Sequence, residues 1–152
     1  LRWDMKQRDE RFVYGSLRRY APEGMTVHAQ NTKPFWTPDQ GQKRNMRPDI
    51  LLKSSDQIVV LDTKWKRPNG NGPSPDDLRQ LYVYLKYYGA QKAALVYPGK
   101  GKAVNGCFAP LPGQTAEYMD RGSLLFLPVG EEVRIWQQTI KDQVEAWAGF
   151  TG

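Results

Sequence analysis

The chain has 152 residues, 25% of them charged and 39% hydrophobic, which suits one water-soluble globular domain with a core of its own. A formal net charge of +6 favours a polyanionic partner. The single cysteine, Cys107, excludes a disulfide framework and a cysteine-built zinc or iron–sulfur site, and no apolar run reaches the roughly 18 residues of a membrane span.

Residues 3–20 have the period of a helix, with Glu10, Val13, Tyr14 and Leu17 on one face. A carboxylate on an apolar stripe is costly to bury unless it has a partner, so Glu10 is a candidate functional residue. After a turn at Pro22-Glu23-Gly24, residues 25–31 alternate as a strand with His28 on its polar side. His28 is expected to be a satisfied strand histidine. Residues 32–46 read as a polar loop. Two short β-branched runs follow, Ile50–Leu52 and Ile58–Leu61, joined by Ser54-Ser55-Asp56-Gln57 as a hairpin turn. Residues 67–75, rich in Gly, Pro and Asn, are a flexible loop. Ser74 caps a helix running to about Tyr88, with Pro75 at its first position, Asp76 and Asp77 against its dipole and Gly89 ending it. Leu78, Leu81, Tyr82 and Leu85 form its stripe; Gln80, Tyr84 and Tyr87 are expected on a flank away from it. Residues 93–97 are a buried strand, 99–122 are loop-rich, 123–129 a last strand, and 131–148 an amphipathic helix.

The predicted architecture is a single α/β domain over residues 1–152, a mixed sheet with flanking helices, whose helix between Lys66 and Ala93 is the crossover for a parallel pair. The chain opens inside a helical pattern, so it is expected to be the C-terminal part of a longer protein. The reducing cytoplasm is the expected compartment.

The hairpin carries the chemistry. Pairing Lys53 with Ile58 places Asp49 opposite Asp62, where two carboxylates on one face repel unless a cation or a shared proton joins them. Lys64, two residues on, shares that face, whereas Thr63 points to the other and offers its carbonyl. Carboxylates that hold a hard divalent ion, with a cation beside them, are what phosphodiester hydrolysis needs. The plainer alternative is a capping Asp49 and a surface ion pair between Asp62 and Lys64. Lys66, Arg67, Lys100 and Lys102 are candidates for phosphate contacts, or simply solvated loop cations. Cys107, in a loop, is expected to be inert.

Pro48-Asp49, Asp62-Thr63-Lys64 and Gln80-x-x-x-Tyr84, after a helix bearing Glu10, resemble the PD-(D/E)xK nucleases of the Gln-x-x-x-Tyr variant. Within them the chain is most similar to the McrC nuclease subunits of McrBC modification-dependent restriction systems. The likeness runs from Met5–Val13 through Gln30, Arg47–Ile50, Leu61–Lys66 and Asp77–Tyr84 to Leu95–Pro98, and departs from the family at Arg8-Asp9, where the family is apolar. It implies a restriction-endonuclease-like αββαβ core and magnesium-dependent DNA cleavage, with manganese as a substitute ion. Glu10, Asp49, Asp62 and Lys64 would be catalytic, Gln80 and Tyr84 would shape the site, and Asp49, Asp62, Glu10 and the Thr63 carbonyl would hold the metal. It further implies DNA and an McrB-like AAA+ GTPase as partners. The competing readings are a RecB-like exonuclease and a catalytically silent DNA-binding or assembly module on the same fold.

Overall fold

The structure, a computed structural model, describes residues 11, 13–15, 17–19, 24–64, 72–99, 101–115, 120–127 and 146. Glu10, Lys66, Arg67 and Lys100 lie outside them, as does all of 131–148 except the helical Ala146. The described residues between 11 and 19 are helical and are called α1. The strands are β1 (Thr26–Ala29), β2 (Lys33–Trp36), β3 (Arg44–Met46), β4 (Ile50–Lys53) and β5 (Ile58–Thr63). Then come helix α2 (Pro75–Tyr87) and strands β6 (Lys92–Pro98), β7 (Val104–Cys107) and β8 (Arg121–Leu127).

Six strands form one mixed sheet in the order β1-β4-β5-β6-β8-β7. The hairpin has the expected register, Lys53 opposite Ile58 through to Ile50 opposite Leu61, and the Gln57 carbonyl accepts from the Ser54 N–H at 2.9 Å to close the turn. β5 then runs parallel to β6, with Asp62 beside Leu95, and α2 makes the crossover. Strand alternation sends Ile50, Leu52, Val59 and Leu61 to one face, where Val13 and Leu17 of α1 cover them. It sends Leu51, Val60 and Leu95 to the other, under Leu81, Tyr84 and Leu85 of α2. Both faces of the central strands are therefore buried, which is why β4 and β5 read as continuous apolar runs.

α2 starts and stops as the sequence predicts. Ser74 Oγ accepts from the N–H groups of Asp76 at 3.1 Å and Asp77 at 3.3 Å. At the other end Gly89 has φ +62°, a left-handed conformation that glycine adopts without a Cβ penalty. The Gly89 N–H donates to the Lys86 carbonyl and the Ala90 N–H to that of Leu85, the two bonds of a Schellman cap.

Three expectations are corrected. Residues 32–46 are not all loop: β2 and β3 pair as a separate two-stranded antiparallel sheet. Its exposed positions show no in-out alternation for sequence reading to detect. Cys107 lies in the edge strand β7, paired with Arg121, and not in a loop; every residue of β7 is exposed, so it too lacks a periodic signal. Tyr84 is not on a flank away from the apolar stripe. It is 6% exposed and belongs to the α2 side of the core, because the helix packs over β4–β6 with a face wide enough to take Leu81, Tyr84, Leu85 and Tyr88.

Candidate active site

The site lies where β5 ends against α2. Asp62 is the penultimate residue of β5 and is only 4% exposed, while Asp49 enters from the segment just before β4. The two carboxyl groups are close enough for the charge of Asp49 to act on Asp62. Burial and then the Asp49 charge push the Asp62 carboxyl up to about 7, against the opposing pull of Lys64. Asp49 is fixed from its other side: its Oδ2 accepts from the Thr63 N–H and from the Thr63 hydroxyl, both at 2.8 Å. This corrects the expectation that Thr63 points away and contributes only a carbonyl. Asp49 precedes the ladder, so its side chain is free to reach round the strand end and satisfy the last backbone donor of β5.

Lys64 lies 2.8 Å from Asp62 Oδ2 and 3.2 Å from Asp77 Oδ1. Burial alone would lower the proton affinity of its ammonium, but Asp62 and then Asp77 outweigh burial and hold it above the ordinary lysine range. Lys64 is thus a fixed cation over the acid pair. Its Nζ also donates to Gln80 Oε1 at 3.4 Å. Gln80 Nε2 donates in turn to the Tyr84 hydroxyl at 3.1 Å, and that hydroxyl donates to the Arg47 carbonyl at 3.3 Å. Burial, then the Asp62 and Asp49 charges, push the Tyr84 phenol up to about 12, so it stays a hydroxyl donor at neutral pH. One chain of hydrogen bonds therefore links Lys64 to the backbone just ahead of Pro48-Asp49.

The fold brings together Asp49, Asp62, Thr63, Lys64, Gln80 and Tyr84. His28 stands apart on β1, its Nε2 3.0 Å from Thr26 Oγ1. Lys102 is also apart, exposed on a cavity of about 760 Å³ with Lys92, Arg121 and Ser123. By strand alternation that cavity opens on the α1 face, away from the acid pair. Asp77 was missed. The sequence explains it by the helix dipole alone, whereas in the fold it is the second carboxylate on Lys64. The available signal was its spacing: Asp77, Gln80 and Tyr84 fall at i, i+3 and i+7 on one helical face.

Among the described residues no group of three or more His, Cys, Asp and Glu side chains could hold a metal ion, so the candidate donors there are Asp49 and Asp62. That pair still fits a hard divalent ion. Two carboxylate donors are held together at a repulsion that raises Asp62, and a cation there relieves it.

A family model described as McrBC 5-methylcytosine restriction system component matches residues 1–98. The chain belongs to that family. Among solved structures it is similar to a Thermococcus gammatolerans assembly of McrB AAA+ hexamers with bound McrC, at TM-score 0.69 and 18% identity over 94% of this chain. A likeness at that identity speaks for the fold alone: the six-stranded mixed sheet is that of a restriction-endonuclease-like α/β core. The chain spans 33% of the length of that matched chain. A crystal structure of SSO0001 is similar at TM-score 0.48 and 14% identity, over 93% of this chain and 59% of the other. No curated protein matches. No helix of the chain, among the described residues, is long and apolar enough to cross a membrane.

Proposed function

We propose that the chain is the nuclease domain of a modification-dependent restriction system, a magnesium-dependent deoxyribonuclease that hydrolyses phosphodiester bonds within DNA. The observation that carries this reading is the pairing of half-buried Asp49 with buried Asp62, with Lys64 fixed 2.8 Å from Asp62, where a βαβ crossover leaves the sheet. A cation-demanding acid pair with a lysine at hand is chemistry that a surface ion pair does not supply.

Asp49, Asp62 and the Thr63 carbonyl, with Glu10 as a third acid, would hold magnesium or manganese. Such an ion, when bound, supplies the positive charge that polarises the phosphate and lowers the pKa of the attacking water. The chain's own residues do the rest. Lys64 stays protonated, so it serves as a charge donor to a phosphate oxygen as negative charge develops, and not as a base. Gln80 orients Lys64 from one side and Asp77 from another. Tyr84 ties the backbone at Arg47 to α2 and so sets where Asp49 stands. Family membership supports the restriction setting. The matched McrC is bound to McrB AAA+ hexamers, and an McrB-like AAA+ GTPase is the proposed partner here, alongside DNA.

The test is nicking of supercoiled plasmid. Cleavage is expected with magnesium and is lost in EDTA and in Asp62→Ala; equal cleavage in EDTA overturns the proposal. Adding the partner GTPase with methylated and unmethylated plasmids then reads out whether cleavage depends on modification.

A further inference from the structure

The small sheet β2–β3 is the part of the molecule that the site does not explain. Two-stranded sheets are marginal by themselves, and this one contributes a single buried side chain, Met46, to the core. Yet it carries the two most exposed aromatic residues of any described strand, Phe35 at 49% and Trp36 at 57%. An irregularity between Pro34 and Trp36 breaks the pleat at Phe35. Phe35 meets Tyr87 of α2 edge to face, with ring centroids 5.5 Å apart at 78°, and Tyr87 is itself 50% exposed.

The small sheet is anchored at the start of β2. Lys33 Nζ donates to the Tyr87 carbonyl at 3.2 Å and sits 4.7 Å from the centre of the Tyr88 ring. The Tyr88 hydroxyl donates to the Asn31 carbonyl. Beyond β3 the chain passes directly through Arg47 and Pro48 to Asp49. The exposed aromatic surface is therefore joined, by a short run of backbone, to the acid pair. Lys43, Arg44 and Arg47 are exposed and pair with no carboxylate among the described residues. Asp39 is the only acid between residues 30 and 47.

We infer that β2–β3 and Tyr87 form a stacking platform for unpaired bases of the strand presented to the Asp49–Asp62 centre, with Lys43, Arg44 and Arg47 along its phosphates. Exposed aromatic faces interleaved with unpaired cations suit a single strand, whose bases are free to stack; a duplex hides those faces. The inference rests on the nuclease reading above and concerns bases that are locally unpaired next to the site.

The test is fluorescence anisotropy of the intact protein in EDTA, where no cleavage is expected. The probes are a labelled single strand, the same sequence as a blunt duplex, and a duplex with a single-stranded tail. Trp36→Ala and Tyr87→Ala are expected to weaken binding of the single strand and the tail by roughly 5- to 150-fold per stacked base, leaving the blunt duplex unchanged. Trp36→Phe is expected to retain most of the affinity and Trp36→Leu to lose it, which separates stacking from mere hydrophobicity. Removing both Lys43 and Arg44 is expected to flatten the slope of log affinity against log salt by about 1.4. Circular dichroism checks that each variant is folded. Folded variants that bind the single strand as wild type does overturn the inference, as does loss of the partner GTPase with DNA binding intact, which would make this a protein-docking face. If wild type nicks plasmid in an Asp62-dependent way while the Trp36 variants bind normally, only this inference falls. If wild type neither binds nor cuts any DNA, the nuclease reading falls with it.

Discussion

Replacing Asp62 with Asn tests the electrostatics of the site without DNA. The amide keeps the shape of the carboxyl and stands in for its protonated form. In the fold the Asp62 carboxyl is pushed from 3.8 to about 7, chiefly by burial and then by Asp49. Between those two values the folded chain keeps a proton that the unfolded chain has released. Raising the pH through that window therefore weakens the wild-type fold: the stability is present at low pH and is lost as pH rises towards 7. At about 1.4 kcal/mol per tenfold change in proton affinity, the full effect is about 4 kcal/mol. The substituted amide has no such titration. The stability of Asp62→Asn minus that of wild type should therefore climb by about 1.4 kcal/mol per pH unit between roughly pH 4 and 7 and level off above. The assay is urea unfolding of both proteins in EDTA at a series of pH values. Adding magnesium should raise the stability of wild type at pH 8 and leave the variant where it was. A difference that stays flat across the window, or a variant less stable than wild type at pH 8 in EDTA, would refute the coupling of buried Asp62 to Asp49.

Gln80→Ala should cut plasmid cleavage by one to a few factors of ten, and Tyr84→Phe by less, because each removes one link between Lys64 and the Arg47 carbonyl; single-turnover rates measure this. Asp77→Asn should change stability by no more than about 1 kcal/mol, its carboxylate being partly exposed, while lowering the cleavage rate through a less firmly held Lys64. Ser74→Ala leaves the Asp76 and Asp77 N–H groups without their cap and should cost about 1 kcal/mol in thermal or urea unfolding, with magnesium binding unchanged.

The hairpin and its acids were legible because three local signals agree. The Ser54–Gln57 turn, the β-branched runs and the apolar lead into Asp62 all demand one register, and that register is found. α2 was legible from Ser74 and Gly89, each acting through its own backbone chemistry. β2, β3 and β7 were not, because strands exposed along nearly their whole length have no alternation to show. Tyr84 misled for a different reason. Its ring is apolar enough to be buried while its hydroxyl still reaches the Arg47 carbonyl, so a helical wheel that sorts residues as either core or flank divides it wrongly. Asp77 needed the tertiary fact that α2 begins over the end of β5. Its helical spacing to Gln80 was visible, but its partner Lys64 comes from another element.

The central claim is that the acid pair and Lys64 do different jobs at one phosphodiesterase centre. The most direct measurement is magnesium-dependent, single-turnover cleavage of supercoiled plasmid by Lys64→Ala, on a sample whose divalent-ion binding has been titrated. The account predicts a folded protein that binds the ion much as wild type does and cleaves slower by about a hundredfold or more. Wild-type cleavage by this variant would contradict it.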